Sequence, residues 1–205
     1  MKIGIVDYEA GNMLSVFNSI YNLGYDPVII KESKNIKNMD KLVIPGVGSA
    51  YHALLNLNKN GFIEELKKFY DQGKPILGIC LGLQIFGKKL LEDGNSDGIG
   101  LFDGIVKPLK KPQVFNIGWC KVDINLNLAE KIGLNKISDF YFCHSFFLDL
   151  AKESKKKLIY GNTVFHENIP AIVIKNNFIG SQFHPEKSQS NGRKFIKYFL
   201  DWKFK

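Results

Sequence analysis

Three absences bound this 205-residue chain. Its cysteines number only three, Cys80, Cys120 and Cys143, an odd set with no CxxC pair. That argues against a disulfide framework and against a zinc site, and it suits a reducing compartment. No stretch approaches the roughly 18 uninterrupted apolar residues of a membrane span. The opening "MKIGIVDYEAGN" has only Ile3 to Val6 as an apolar run before Asp7, too short for the core of a signal peptide. The expected location is therefore cytoplasmic, with no membrane partner. Internal repeats, low-complexity tracts and linkers are missing as well, so residues 1–205 read as one domain.

Arginine-rich arms are also missing. The net charge of +8 comes mostly from lysines spread along the chain, in small clusters such as Lys155 to Lys157. Without the aromatic–basic motif of an RNA-binding sheet, this is a solvated lysine surface and implies no nucleic-acid partner. What is present is a globular composition, 45% hydrophobic and 13% aromatic, enough for a substantial core.

Strands and helices alternate through the first half. "MKIGIVDY", "DPVIIK", "KLVIPGVG" and "KPILGIC" are short apolar runs that predict buried strands. Met13, Leu14, Phe17, Ile20 and Tyr21 recur at helical spacing, with Gly24 where that helix would stop. Phe62, Ile63, Leu66, Phe69 and Tyr70 mark a second helical face, closed by Gly73. Fully apolar strands between helices predict a parallel sheet with helices on both faces, a three-layer α/β domain. Past about residue 98 come β-like pieces, "GIVKPL", "IGWCKVDI", "DFYFCHSFFLDL", "KLIYGNTVF" and "PAIVIKNNFIGSQF". They predict mixed or antiparallel additions to the sheet. A closing helix near 191–202 turns Phe195, Ile196, Phe199 and Leu200 inward.

The chemistry centres on "KPILGICLGLQIFG". Gly78-Ile79-Cys80-Leu81-Gly82 is G-x-C-x-G between a strand and a helix, the pattern of a nucleophile elbow with sulfur for oxygen. A Cβ at either glycine would strike the neighbouring strand or helix. The elbow lifts Cys80 to the carboxyl edge of the sheet, where open α/β folds place their sites. A helix starting at Leu81 would favour thiolate. The plain alternative is a small buried cysteine beside glycines that allow close packing.

That alternative weakens at "GSQFHPEKS". On an extended chain His184 and Glu186 project to the same side, giving an imidazole and a carboxylate that holds its tautomer. Cys80 would attack an acyl carbon, and His184 would carry the proton to the leaving nitrogen. The developing oxyanion needs donors, which the N–H of Leu81 and that of Val47 or Gly48 in "PGVG" would supply.

The elbow "GICLGLQ", the loop "PGVG" and the tail "FHPE" together resemble the class I (triad-type) glutamine amidotransferases. Within them the ordered set "IGIVDY..AGN", "IPGVG", "GICLGLQ", "IGW", "YFCHSF" and "FHPEKS" is most similar to the glutaminase subunits of imidazole glycerol phosphate synthase, from histidine biosynthesis. The resemblance implies a flavodoxin-like fold and hydrolysis of L-glutamine through a Cys80 thioester, with no cofactor and no metal. It implies substrate contacts from Gly46, Gln84, Glu92, His144 and Ser145, the Glu92 carboxylate pairing with the substrate ammonium. It also implies a heterodimer with a (β/α)₈ synthase or cyclase subunit that receives ammonia, with Asn12, Trp119, Tyr141 and Lys187 at the interface. Glu9, Leu14, Asn116, Cys120 and Phe146 depart from the family's usual pattern. They leave the proposed triad untouched and put the identity of the synthase in question. Paralogous subunits that supply ammonia for other amidations, such as amidino-sugar synthesis, are the second reading.

Overall fold

The computed structural model describes every residue except 10, 11, 93, 113, 204 and 205. The "AG" of the N-terminal motif lies outside the described residues. The strands are β1 (Ile3–Val6), β2 (Pro27–Ile30), β3 (Lys41–Ile44), β4 (Ile76–Ile79), β5 (Gly87–Leu90), β6 (Ser96–Asp97) and β7 (Phe102–Pro108). They continue with β8 (Asn116–Ile124), β9 (Ile137–His144), β10 (Phe146–Leu150), β11 (Ile159–Phe165), β12 (Glu167–Lys175) and β13 (Phe178–Ser181). The helices are α1 (Met13–Tyr21), α2 (Ala50–Lys59), α3 (Phe62–Asp71), α4 (Leu81–Gln84), α5 (Leu126–Ile132), α6 (Lys152–Leu158) and α7 (Gln189–Asp201).

Nine strands form the main sheet in the order β2-β1-β3-β4-β13-β12-β11-β8-β9. Pairing is parallel from β2 to β13 and antiparallel from β13 to β9. The parallel half is the one foreseen from its apolar runs, and β1, β3 and β4 are buried throughout. Alternate residues of these strands feed two cores. Ile5, Val43 and Leu77 pack with α1, α5 and α7 through Val16, Ile20, Leu128, Phe195 and Phe199. Leu42, Ile44 and Ile76 pack with α2 and α3 through Leu57, Phe62 and Phe69. Burying such side chains stabilises the fold by roughly 1.5–3 kcal/mol each, which is why the layers close on both faces.

Two differences from the sequence expectation bear on the site. The later strands do not all extend the main sheet, because β5, β6, β7 and β10 make a second sheet in the order β10-β7-β5-β6. "DFYFCHSFFLDL" is two strands, β9 in the large sheet and β10 in the small one, with Ser145 at the break. Alternation along a strand shows which face is buried but not which sheet it joins. "KLIYGNTVF" likewise begins on α6, a helix with no buried residue and so no apolar stripe to announce it.

Candidate active site

Cys80 stands between β4 and α4 at φ 51° and ψ −106°. A non-glycine residue there carries about 1–3 kcal/mol of strain, which the surroundings must hold. They do so by close approach. A Cβ on Gly82 would lie 1.9 Å from the Ile44 carbonyl oxygen, and one on Gly78 would lie 2.5 Å from that of Gly82. The Cys80 N–H donates to the Ser181 carbonyl at 2.7 Å, tying the elbow to β13.

The helix expected beyond the elbow is a single turn. α4 ends at Gln84 and the chain enters β5 at Gly87, where Phe86 packs on Phe178 with ring centroids 4.6 Å apart. So few aligned peptides make only a weak macrodipole, and the helix contribution to a thiolate shrinks accordingly.

His184 and Glu186 also meet differently from the expectation. Pro185–Lys187 is a 3₁₀ turn, so the two side chains converge across a tight turn and not along a strand. His184 Nδ1 lies 2.8 Å from Glu186 Oε1, with the side chains only 1% and 2% exposed. Since a carboxylate can only accept, Nδ1 carries the proton and Nε2 is left for another partner. Nε2 is buried without an aligned hydrogen bond in the resting structure, yet the ring stands within hydrogen-bonding reach of the Cys80 sulfur. Burial favours the neutral ring, but the Cys80 charge and the Glu186 carboxylate outweigh it and raise the imidazole well above the usual histidine range. The arrangement brings a nucleophile, its base and an orienting carboxylate together.

A cavity of about 240 Å³ opens beside the sulfur, walled in part by Val47, Gly48, Cys80, Leu81, Gln84, Glu92, His144 and Ser145. Leu81 begins α4, so its N–H is among the donors a helix leaves without an internal acceptor. Gly46 lies elsewhere. A Cβ on it would be 2.6 Å from Tyr8 Oη and 2.7 Å from Leu81 Cβ, so it seats the loop against the elbow and is not part of the cavity wall. Tyr8 donates its hydroxyl to the Pro45 carbonyl. Burial first, and then the Cys80 charge, push its phenol upward, keeping it protonated. Glu92 Oε2 accepts the Ala50 N–H at 2.7 Å, at the start of α2.

His144 Nδ1 is 2.9 Å from the Phe146 carbonyl, and its Nε2 is 3.4 Å from Asn116 Nδ2. The carbonyl requires a proton on Nδ1, so Nε2 accepts from the Asn116 amide. The Cys120 thiol in turn donates to Asn116 Oδ1 at 3.4 Å. The two departures at 116 and 120 are thus one unit, holding His144 neutral. Burial, its largest influence, drives His144 down to about 4.

The four interface candidates fall outside the cavity. Trp119 is 49% exposed and meets Tyr141 edge-on at 6.1 Å, its partner in the β8–β9 register. Lys187 Nζ sits 5.8 Å from the centre of the Tyr141 ring. Asn12 precedes α1. Among the departures, Glu9 adopts φ 63° in the left-handed region and Leu14 is 68% exposed on α1. Sequence reasoning missed Gln182, whose side-chain nitrogen is 3.5 Å from Cys80 Sγ. It also missed Phe115 and Ile117, exposed apolar residues at the cavity mouth. The alternation of Phe115, just before β8, with Ile117 and Trp119 on it was the available signal.

A strained cysteine, a buried imidazole–carboxylate pair and a small cavity of mixed polar and apolar lining define a centre built for acyl transfer through sulfur. A family model for "Glutamine amidotransferase class-I" matches residues 4–201, and the chain belongs to that family. It is similar to "Imidazole glycerol phosphate synthase subunit HisH" of Caldanaerobacter subterraneus subsp. tengcongensis, at 38% identity over 96% of each chain. It is 34% identical to "Imidazole glycerol phosphate synthase hisHF" of Schizosaccharomyces pombe, covering 98% of this chain and 38% of that one. The fold matches that of "PurLQS from Thermotoga maritima" with a TM-score of 0.77 at 19% identity, over 98% of this chain and 97% of that chain. Among the described residues, no helix is long and apolar enough to cross a membrane.

Proposed function

We propose that this chain is the glutaminase subunit of an imidazole glycerol phosphate synthase, working in the cytoplasm as a single domain over residues 1–205. The observation that carries the reading is the convergence of Cys80 with the His184–Glu186 pair beside the cavity. The names of the HisH relatives support it. The cavity, at about 240 Å³, is below the roughly 300–1,000 Å³ usual for drug-sized ligands, as suits a single small amino acid.

In this reading the Cys80 sulfur attacks the side-chain amide carbon of glutamine. The oxyanion is met by the Leu81 N–H and by that of Val47 or Gly48. The His184 imidazolium gives its proton to the leaving nitrogen, and ammonia departs. Water then adds to the thioester with His184 as base, glutamate leaves and the thiol is restored. Glu186 steadies the imidazolium throughout. Glu92 pairs with the substrate ammonium, while Gln84, His144 and Ser145 shape the pocket. Gly46 supports it from behind.

Ammonia passes to a (β/α)₈ synthase subunit in a heterodimer. The fungal relative, named as an imidazole glycerol phosphate synthase and much longer than this chain, is what such a pairing would look like fused. Trp119, Tyr141, Lys187 and Asn12 form the docking surface, aromatic and cationic groups of the kind that anchor interfaces. Glutamate production should be low for the isolated chain and rise strongly when the synthase subunit and its substrate are added. High activity of the chain alone would refute the partner dependence, and no activity in the complex would refute the glutaminase assignment.

A further inference from the structure

We propose that Gln182 belongs to the reacting centre, its side-chain N–H, aimed by Gln84, holding the Cys80 sulfur in its attacking position. Gln182 is fully buried and uncharged, and it lies on the chain between β13 and His184. Its Nε2 stands 3.5 Å from Cys80 Sγ. A buried amide has two ways to face, and here the choice is made by its neighbour. Gln84 Nε2 donates to Gln182 Oε1 at 3.1 Å and to the Phe146 carbonyl at 2.6 Å. With its oxygen committed to a donor, Gln182 must turn its nitrogen, and so a hydrogen, toward the sulfur.

The contact matters because other positive influences on that sulfur are sparse. The single turn of α4 supplies little dipole, and the His184 proton moves during the reaction. A primary amide does not ionise, so its N–H remains on the sulfur through every stage. It favours the sulfur most when negative: before attack, and again when the thioester breaks and sulfur is the leaving group. It also fixes the side-chain rotamer on a backbone that is itself strained. The Phe146 carbonyl joins this chain to a second one, since it also accepts from His144 Nδ1. Seven groups from Cys120 through Asn116, His144, Phe146, Gln84 and Gln182 to Cys80 are therefore in hydrogen-bonded sequence.

The contact itself needs no substrate; only its consequence for hydrolysis rests on the proposed glutaminase function. The test is accordingly alkylation of Cys80 by iodoacetamide across pH in the isolated chain, read by mass spectrometry of the peptide. Gln182→Met keeps the volume and removes the donor. A hydrogen bond to a charged group justifies an expected slowing of about tenfold at neutral pH, recovered as pH rises. Gln84→Leu leaves Gln182 in place but frees its amide to turn, and should show a smaller slowing of the same kind. Melting curves establish that each variant is folded, and a simple packing defect would shift melting without moving the pH profile. Profiles superposing on wild type in folded Gln182→Met overturn the proposal, as does slowing that higher pH fails to relieve. If alkylation responds as expected while the synthase complex never releases glutamate, the sulfur contact stands and the glutaminase reading fails.

Discussion

The backbone N–H of His184 donates to the carbonyl of Tyr141 at 2.8 Å. Ser188 completes the join, accepting the Tyr141 N–H at 2.9 Å and donating its hydroxyl to the His184 carbonyl at 2.7 Å. The buried imidazole is thus fastened to the strand that presents Tyr141, and through it Trp119 and Lys187, at the surface.

That fastening is made by main-chain groups and the Ser188 hydroxyl, so an aromatic side chain at the surface can be removed without undoing it. Trp119→Ala should weaken the complex with the synthase by roughly tenfold or more, as loss of an aromatic anchor does. Titration calorimetry measures it. Cys80 alkylation in the isolated chain should not change, because the substitution removes only the ring contact with Tyr141 and leaves the β8–β9 backbone pairing in place.

Glu186→Gln should slow glutamate release far less than Cys80→Ala, since an orienting group contributes less than the nucleophile. The remaining amide can still accept from Nδ1 but no longer supports the imidazolium. Steady-state assays of the complex compare the two, and equal losses would remove Glu186 from the orienting role.

Gly82→Ala should destabilise the fold, because its methyl would meet the Ile44 carbonyl at 1.9 Å. Backbone must shift, at about 1–3 kcal/mol or more. Gly48→Ala meets nothing within 4 Å but holds φ +102°. Its cost is conformational, about 1–2 kcal/mol. Urea denaturation should rank Gly82→Ala as the more damaging.

Stability should fall as pH drops from about 6.5 toward about 4, the window between the ordinary histidine value and that of folded His144. In that window the unfolded chain binds a proton at this position and the folded chain does not, so acid favours unfolding. His184, raised in the fold, is protonated in both states at the bottom of this window and contributes little slope there. Urea midpoints at pH 4.5 and 6 should differ for wild type and converge in His144→Gln.

Much of this was legible in the sequence. The elbow declared itself because close packing of β3, β4 and α4 demands glycines at 78 and 82, and such demands leave letters behind. The parallel half of the sheet was readable for a similar reason, as strands buried on both faces must be apolar throughout. The division of "YFCHSF" between two sheets was not, because both halves alternate alike. Gln182 was invisible for another reason. A glutamine beside a phenylalanine announces nothing until Gln84, far away in sequence, fixes which way its amide points. The Asn116–His144 contact, between residues 28 apart in the chain and on two strands, needed the β8–β9 register.

β9 is the outermost strand of the large sheet, and its unpaired side could template pairing with another molecule. Instead the carbonyl of Asp139 takes the Asn191 amide at 3.1 Å, that of Tyr141 takes the His184 N–H, and that of Cys143 faces Cys80 Sγ at 3.8 Å. The segment that carries the imidazole therefore doubles as a guard rail against edge-to-edge aggregation. Loosening it would endanger solubility along with chemistry, which ties the upkeep of one to the upkeep of the other.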